Sequence, residues 1–194
     1  MIRRLLKKIF QKIGIVKKPL KSQIIKLGGK LGDNIFIGSG TLIDLDFAFL
    51  LEIGNGVVIA SNSIIELHDS SLPNVLGNEK LRVGKVIIKD NAYVGVATTI
   101  LAGVTIGKGA LIGANSLVNK SVPNGEVWAG VPIKYICKVS ELVKKRNLDK
   151  NPLCYDVDWI GEAQKANLDY PKYKKKMQEK VKLYFERKDE NIKC

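Results

Sequence analysis

The amino-acid sequence predicts an all-β solenoid, a coil of short parallel strands with a helical segment at each end. Three observations predict it. Aliphatic residues recur at every sixth position through the middle of the chain, whereas both ends carry helical patterning. The composition, 45% apolar in 194 residues, is sufficient for one domain with a core. No apolar run reaches the length that crosses a bilayer, and no uninterrupted apolar stretch follows the basic N-terminus, so we expect no secretory signal.

Residues 1–25 are the first predicted segment, a basic amphipathic helix. Apolar side chains recur with helical spacing from Ile2 to Ile13, and Arg and Lys fill the opposite face. Residues 1–30 carry ten Lys or Arg and no acid. Two interpretations stay open: residues 1–20 contact an anionic membrane surface, or the helix packs against the coil or a neighbouring subunit.

Residues 26–138 are the predicted solenoid. Three six-residue units would close one turn, with the leading aliphatic side chain of each unit pointing inward and a tight corner between strands. Glycine at the second position of several units, such as Gly95 and Gly107, is expected to supply an unusual φ at these corners. The register slips between Ile43 and Phe47, which predicts one irregular turn. The leading residues are Leu31, Ile37, Ile43, Ile53, Ile59, Ile65, Ile88, Val94, Ile100, Ile106, Ile112 and Val118.

The single histidine of the chain, His68, lies at the end of the upstream units in the stretch IELHDS. The residues that follow, about 68–86, are polar and rich in turn formers, which predicts a loop that projects from a corner. An imidazole titrates near neutral pH, so His68 is the candidate general base of an enzyme. A structural histidine at the corner is the alternative.

The last segment, residues 139–194, lacks the six-residue repeat. A short helix is predicted from about Ser140 and a second one with Pro171 in its first turn. Such an extension covers the end of a solenoid or contributes to an acceptor site.

The stretch from Ile88 to Lys138 resembles the hexapeptide-repeat acetyltransferases, with most similarity to the maltose, galactoside and polysaccharide O-acetyltransferases. The motifs that carry the resemblance are ILAGVTIG, IGANSLVNKSVP and AGVPIKYI, which begin at Ile100, Ile112 and Ala129. The resemblance covers about residues 31–138. It implies a left-handed parallel β-helix of hexapeptide repeats, acetyl-CoA as co-substrate, and a homotrimer with active sites between neighbouring subunits.

The resemblance also assigns residues to the expected site. His68 occupies the position of the catalytic base, and Glu66 beside it is expected to face outward. The candidates for contacting the acceptor or orienting His68 are Asp44, Asp46, Asn62 and Asp69. The candidates for binding coenzyme A are Val96, Ala114, Asn119, Lys120 and Lys134. Trp128 lies either against coenzyme A or over the end of the coil stack. No metal is expected, since the zinc carbonic anhydrases of this coil need three histidines.

Charge and cysteine content limit the remaining classes of function. Residues 31–133 carry six basic and nine acidic residues, so the net charge of +13 comes from the two ends. We therefore expect no nucleic-acid partner. The three cysteines show no CxxC spacing, which indicates a reducing, cytoplasmic location, with peripheral contact at the inner face of a membrane as an addition.

These patterns and the resemblance predict acetyl transfer to a sugar hydroxyl, in surface polysaccharide or glycan biosynthesis. N-acetylation of an amino sugar, free or linked to a nucleotide, is the first alternative. A non-catalytic scaffold, or a basic protein that binds nucleic acid or membranes, is the alternative of another class.

Overall fold

The computed structural model describes residues 19–77 and 81–146 of the chain. The predicted helix over residues 2–13 and the one near Pro171 lie outside the described residues. The elements, in chain order, are α1 (Leu20–Lys26), β1 (Lys30–Leu31), β2 (Phe36–Ile37), β3 (Leu42–Ile43), a 3₁₀ helix (Leu45–Leu50), β4 (Leu51–Ile53), β5 (Val58–Ile59), β6 (Ile64–Ile65), β7 (His68–Asp69), α2 (Ser71–Leu76), β8 (Arg82–Val83), β9 (Val86–Ile88), β10 (Tyr93–Val94), β11 (Thr99–Ile100), β12 (Thr105–Ile106), β13 (Leu111–Ile112), β14 (Leu117–Val118), β15 (Glu126–Ala129), β16 (Lys134–Lys138) and α3 (Val139–Arg146).

The strands stack into three parallel sheets, one for each side of a three-sided coil. Sheet A contains β1, β4, β9 and β12, sheet B contains β2, β5, β10, β13 and β15, and sheet C contains β3, β6, β11 and β14. In the regular turns, paired residues are eighteen positions apart, as for Tyr93 and Leu111 in sheet B. Three six-residue units therefore make one turn, as the repeat predicts. The first corner joins sheet A to sheet B, the second joins B to C, and the third joins C back to A.

The leading aliphatic residues form the core. Those of the last six units, Ile88 to Val118, are fully buried, and Ile53, Ile59 and Ile65 are at most 3% exposed. Leu31 and Ile37 in the first turn are only half-buried. Each fully buried aliphatic side chain stabilises the fold by about 1.5–3 kcal/mol relative to an exposed one. The six-residue register is therefore confirmed by burial.

The corners use two different backbone devices. The fourth residue of most units has φ between +53° and +86°, a left-handed conformation that Gly and Asn tolerate better than other residues. The second-position glycines serve another purpose: a Cβ on Gly95 would lie 2.4 Å from the backbone nitrogen of Ala114 in the next turn. The expected role of these glycines in supplying an unusual φ is therefore wrong, because the need at Gly95 and Gly107 is close approach of backbones.

Two irregular segments interrupt the coil, and both lie at the third corner. In the first turn the 3₁₀ helix Leu45–Leu50 occupies the place where the register was predicted to slip. After the second turn the chain leaves the coil as an antiparallel pair of β7 and β8, which encloses α2. This excursion corresponds to the predicted projecting loop.

The described coil is covered at both ends. Helix α1 places Ile24, which is fully buried, against the first turn, where a Cβ on Gly29 would meet Ile24 Cγ2 at 2.5 Å. At the other end β16 pairs antiparallel with β15. The chain divides after Val139 into two compact units, and the second is described here only through Arg146. Within the described residues, no helix is both long and apolar enough to cross a membrane.

Candidate active site

The third corner aligns one residue from each of four turns. The pairing of sheet C continues one residue beyond its strands, because the N–H of Asp44 donates to Ile65 O at 3.1 Å and the N–H of Glu66 donates to Ile100 O at 2.9 Å. The N–H of Leu101 donates to Val118 O at 3.0 Å in the same way. Asp44, Glu66, Leu101 and Asn119 therefore occupy equivalent positions in successive turns.

His68 lies beside this column, at the start of the excursion. Its Nδ1 is hydrogen-bonded to Oδ2 of Asp44. Asp44 is nearly buried, with 8% of its side chain exposed, whereas His68 is 31% exposed. In the neutral ring Nδ1–H donates to the carboxylate, so Nε2 carries the lone pair that can accept a proton. Of the four candidates for orienting His68, the structure thus brings Asp44 into contact.

The 3₁₀ helix supplies a second contact to His68. The Phe47 and His68 ring centroids are 4.9 Å apart, with the ring planes inclined at 38°. Phe47 has non-helical backbone angles, φ −113° and ψ 20°, within that short helix. The end of sheet C therefore places the Asp44 carboxylate beside the imidazole, and the 3₁₀ helix places the aromatic ring there.

The acidic surroundings raise the pKa of His68 above its usual value. The hydrogen bond to Asp44 is the largest cause, and desolvation opposes it. The negative charges of Asp44, Glu66 and Asp46 add to the increase. Asp46 is exposed and acts on His68 through charge alone among the interactions described. Each of these carboxylates stabilises the protonated imidazole.

A cavity of about 350 Å³ lies next to His68. Its walls include Glu66, Asp69, Arg82 and Asn119 together with His68. The Asp69 carboxylate accepts from the backbone N–H of Ser71 at 2.9 Å and from its hydroxyl at 2.6 Å, and these bonds lower the pKa of Asp69. Asp69 therefore fixes the start of α2 as well as lining the cavity.

Three other candidates lie at the second corner, away from this cavity. Val96 and Ala114 are exposed and occupy adjacent turns, and the N–H of Asn115 donates to Val96 O at 2.8 Å. Asn62 is exposed at the same corner with φ 60°, and it does not line the cavity beside His68. Sheet C separates the second corner from the third.

The last turn carries the remaining candidates. Trp128 packs against the core cluster, in register with Ile112 of the turn below, so it covers the end of the stack. The Nζ of Lys120 lies 5.2 Å from the Trp128 ring centroid. Glu126 accepts the Trp128 indole N–H at 2.8 Å, and it also bonds Lys138. Lys134 is exposed at the start of β16.

Asp44, Glu66 and His68 also form a group that could hold a metal ion, because one ligand atom from each lies within 4.8 Å of the others. The Nδ1 of His68 is already directed at Asp44, so a cation would compete with that hydrogen bond. A single histidine cannot form the three-histidine zinc set of a carbonic anhydrase.

Three residues of the site were missed or misjudged from the sequence. Glu66 was expected to face outward, and its carboxylate lies at the cavity. Its second position in a unit, equivalent to that of Asp44, is the signal that could have placed it. Phe47 and Arg82 carried no signal, because they lie in the 3₁₀ helix and the excursion, where the six-residue repeat gives no register.

The fold is a coil of six-residue repeats, and a potential base, His68 held by Asp44, lies beside a cavity at its third corner. These features define a hexapeptide-repeat protein with a candidate active site. Residues 85–120 match the family described as bacterial transferase hexapeptide (six repeats). The chain is 30% identical over 173 residues to galactoside O-acetyltransferase of Lactococcus lactis subsp. lactis (strain IL1403), covering 85% of this chain and 74% of that protein. The chain therefore belongs to the hexapeptide-repeat acetyltransferase family.

Two further comparisons mark the breadth of this similarity. Gamma carbonic anhydrase 2, mitochondrial, of Arabidopsis thaliana is 32% identical over 104 residues, covering 47% of this chain and 37% of that protein. The solved galactoside acetyltransferase in complex with coenzyme A has the same fold, with a TM-score of 0.50 at 23% identity, over 73% of this chain and 82% of that one. The chain spans about half the length of several other curated relatives, between 37% and 64%.

Proposed function

We propose that this protein transfers the acetyl group of acetyl-CoA to a hydroxyl group of a sugar or glycan, with His68 as the general base. The observation that carries the proposal is the bond between His68 Nδ1 and Asp44, which leaves Nε2 to accept a proton beside a cavity. A thioester is already activated, so the reaction needs no covalent nucleophile in the protein.

The proposed reaction has two steps. Nε2 of His68 takes the proton of the acceptor hydroxyl while the oxygen attacks the thioester carbon, and the carbonyl becomes an oxyanion that backbone N–H groups can stabilise. The intermediate then collapses, the C–S bond breaks, and the imidazolium returns its proton to the coenzyme A thiolate. Asp44 acts in both steps, because its carboxylate stabilises the imidazolium that forms between them.

Acetyl-CoA is the proposed co-substrate, and a homotrimer is the proposed assembly. Asn119 lines the cavity at the third corner with Lys120 next to it, whereas Val96 and Ala114 lie at the second corner, on the other side of sheet C. Two copies packed side by side would bring the second corner of one next to the third corner of the other, so both sets could contact one coenzyme A. The left-handed sense of the coil, which rests on the family resemblance, belongs to the same proposal.

The outer faces of sheets B and C support this packing. Three apolar side chains on them are well exposed: Leu42 (63%), Tyr93 (43%) and Phe36 (40%). Exposed apolar side chains on two adjoining faces, two on sheet B and one on sheet C, are consistent with surfaces that an oligomer covers. The outer face of sheet A instead carries Lys30 and Glu52 at the equivalent positions.

An amine acceptor is the second candidate, and one observation favours it. Glu66 and Asp46 join Asp44 in placing negative charge around His68. These carboxylates would attract the ammonium group of an amino sugar, and the raised pKa of His68 makes it a stronger base for removing that proton. Relative rates with amino and hydroxy sugars of the same ring distinguish the two candidates.

Coenzyme A thiol release from acetyl-CoA tests the proposal. The acceptor panel should contain galactosides first, because that acceptor gives its name to a relative that matches 85% of this chain, then amino sugars and nucleotide-linked amino sugars. We expect at least one acceptor to stimulate release, and His68→Gln to lower the stimulated rate by about 10²- to 10⁴-fold. Asp46→Asn is the comparison variant, because it removes a nearby charge and no bond to His68, so it should lower the rate less than His68→Gln does. Stimulated release that survives His68→Gln would contradict the assignment of the base.

The cellular setting is proposed from the sequence. The three cysteines without paired spacing favour a reducing, cytoplasmic location, and the basic segment over residues 1–20 favours contact with an anionic membrane. Co-sedimentation with vesicles that contain anionic lipid, for the full chain and for a chain without residues 1–20, tests the contact. Equal sedimentation of both chains would eliminate it.

A further inference from the structure

The outer face of sheet A differs in charge from the rest of the coil. Residues 31–133 carry more acids than bases, yet three of their six basic residues, Lys85, Lys89 and Lys108, lie on or beside this face. Lys30 joins them from the first turn. A locally positive surface therefore exists within a segment whose net charge is negative. We call it the lysine face, and it consists of Lys30, Lys85, Lys89 and Lys108.

A groove of about 340 Å³ runs through the lysine face. The residues that line it include Ile53, Gly54 and Ile88 together with Lys89 and Lys108. Gly54 has no side chain to fill the space, and a Cβ there would lie 2.3 Å from Asp90 Oδ1. Successive turns therefore approach each other closely at Gly54 and Asp90, which both line the groove.

The lysines of this face fall into two pairs. Lys30 and Lys85 both bind the Glu52 carboxylate, at 2.9 and 2.7 Å, and they lower the pKa of Glu52. Lys89 and Lys108 make no side-chain hydrogen bond or ion pair with any of the residues that the structure describes. Among the described residues that line the groove, the one acid other than Glu52 is Asp90, whose Oδ1 accepts the N–H of Asn55 at 2.8 Å. Two ammonium groups are therefore available to an anion.

The lysine face adjoins the corner that carries His68. Lys85 follows Gly84, whose N–H donates to Leu67 O at 2.9 Å, one residue before His68. Strand β9 then crosses the face to Lys89, a span of about 13 Å for four residues in extended conformation. A chain molecule lying along β9 could thus reach both the His68 corner and the groove.

We propose that the acceptor is an anionic glycan chain, carboxylated or phosphorylated, which the lysine face binds while one of its hydroxyl groups reaches His68. This inference rests on the proposed function. Ammonium groups bind the anionic substituents, and the carboxylates of Glu52 and Asp90 accept hydrogen bonds from sugar hydroxyls. The face offers no aromatic side chain for stacking nucleic-acid bases among its described residues, and no exposed apolar side chain for inserting into a membrane.

Binding without acetyl-CoA tests the inference separately from catalysis. The probes are a fluorescent oligogalacturonate, a neutral dextran oligosaccharide of equal length and a single-stranded DNA, measured by anisotropy with the full chain at about 0.15 M salt, where distant charges are screened. We expect Lys89→Glu with Lys108→Glu to weaken oligogalacturonate binding by about tenfold or more. The matched control is Lys144→Glu with Lys145→Glu on α3, which makes the same change in net charge and should alter binding less than about twofold.

We call Lys89→Glu with Lys108→Glu the groove variant. Equal binding of the neutral and anionic oligosaccharides, or equal losses in the two double variants, would overturn the inference. So would DNA that binds more tightly than oligogalacturonate and loses its binding in the groove variant. Transfer to the anionic and neutral oligosaccharides supplies the catalytic arm. We expect the groove variant to raise KM for the anionic acceptor with little change in kcat. Absence of transfer to these oligosaccharides and to every member of the acceptor panel, with anionic binding still lost in Lys89→Glu with Lys108→Glu, would reject the proposed function and retain the binding site.

Discussion

At the scale of single residues, the carboxylate of Asp44 in the first turn raises the pKa of His68 in the second turn. Asp44 is nearly buried, holds Nδ1 of His68 and is the main cause of its raised pKa. The sequence predicted His68 and a short list of partners, but it could not choose among them. Asp44 keeps the register of sheet C, whereas Asp46 lies in the 3₁₀ helix, and the sequence did not show at which residue after Ile43 the repeat ends.

The pH dependence of transfer should report this pair. A general base must be neutral to accept a proton, so kcat/KM should rise with pH through the raised pKa of His68. Asp44→Asn removes the main cause of the increase, so the acidic limb should move to lower pH and kcat/KM should fall by about 10²-fold. Initial rates across the pH range measure both changes. An unmoved limb in Asp44→Asn would mean that another group titrates.

The bond between His68 and Asp44 should stabilise the folded state more at low pH than at high pH, which is opposite to the pH dependence of kcat/KM. A group whose pKa is raised by folding stabilises the folded state fully below its unfolded pKa, and this contribution is lost as pH rises through the folded value. We therefore expect Asp44→Asn to destabilise the protein more at about pH 5.5 than at about pH 8.5, on either side of the ordinary histidine pKa. Urea unfolding at the two pH values measures the difference, with Asp46→Asn as the control.

A chelator distinguishes the base from a metal ligand. Asp44, Glu66 and His68 could hold a cation, but the proposed reaction uses none. We expect thiol release to be unchanged after extensive dialysis against EDTA and after addition of Zn²⁺ at equimolar concentration. Loss of activity with EDTA that returns with one particular metal would assign these three residues to a metal centre.

At the scale of elements, the corners explain most of what the repeat could and could not predict. The period of six gives the strand positions and the buried residues from Ile53 to Val118. It says nothing about Phe47 or Arg82, because the 3₁₀ helix and the excursion follow no repeat. The repeat can predict the positions of site residues that lie within six-residue units. The positions of those in the 3₁₀ helix and the excursion are known only from the structure.

Two substitutions in one corner should have effects of opposite sign. Gly95→Ala would bring a Cβ to 2.4 Å from the nitrogen of Ala114, so we expect destabilisation of about 2 kcal/mol or more. Ala97 has φ 55°, and Ala97→Gly relieves that strain at some cost in chain entropy, so we expect stabilisation of about 0.5 kcal/mol. Urea unfolding of the two variants measures the free energies. Equal effects would contradict the assignment of close backbone approach to the second position and of positive φ to the fourth.

At the scale of the whole molecule, the three outer faces have different characters. Sheets B and C expose apolar side chains such as Tyr93 and Leu42, whereas sheet A carries lysines and Glu52. In the proposed trimer, sheets B and C would face neighbouring subunits and the lysine face would stay exposed. The net charge of the chain could not reveal the charge of each face, because that charge depends on which six-residue units stack to form the face.

Disruption of an apolar face should separate folding from assembly. We expect Leu42→Asp to convert the proposed trimer to monomers and to lower thiol release by at least about 10²-fold, since a charge at the core of an interface is strongly destabilising. The circular dichroism spectrum should remain that of the wild type. Light scattering coupled to size exclusion measures the assembly, and Val143→Asp on α3 is the control for an exposed apolar residue outside the coil. A wild-type chain that is monomeric and active would reject the trimer.

The two insertions into the six-residue repeat, the 3₁₀ helix and the excursion, both occur at the third corner, and sheets C and A on either side keep their register. The coil can therefore lengthen at that edge without disturbing its strands. The proposed acceptor cavity lies at this edge, so insertions and deletions there would alter the cavity and leave the scaffold unchanged. For protein engineering, loops from other coils could be grafted between residues 69 and 85 to redirect the enzyme to new acceptors.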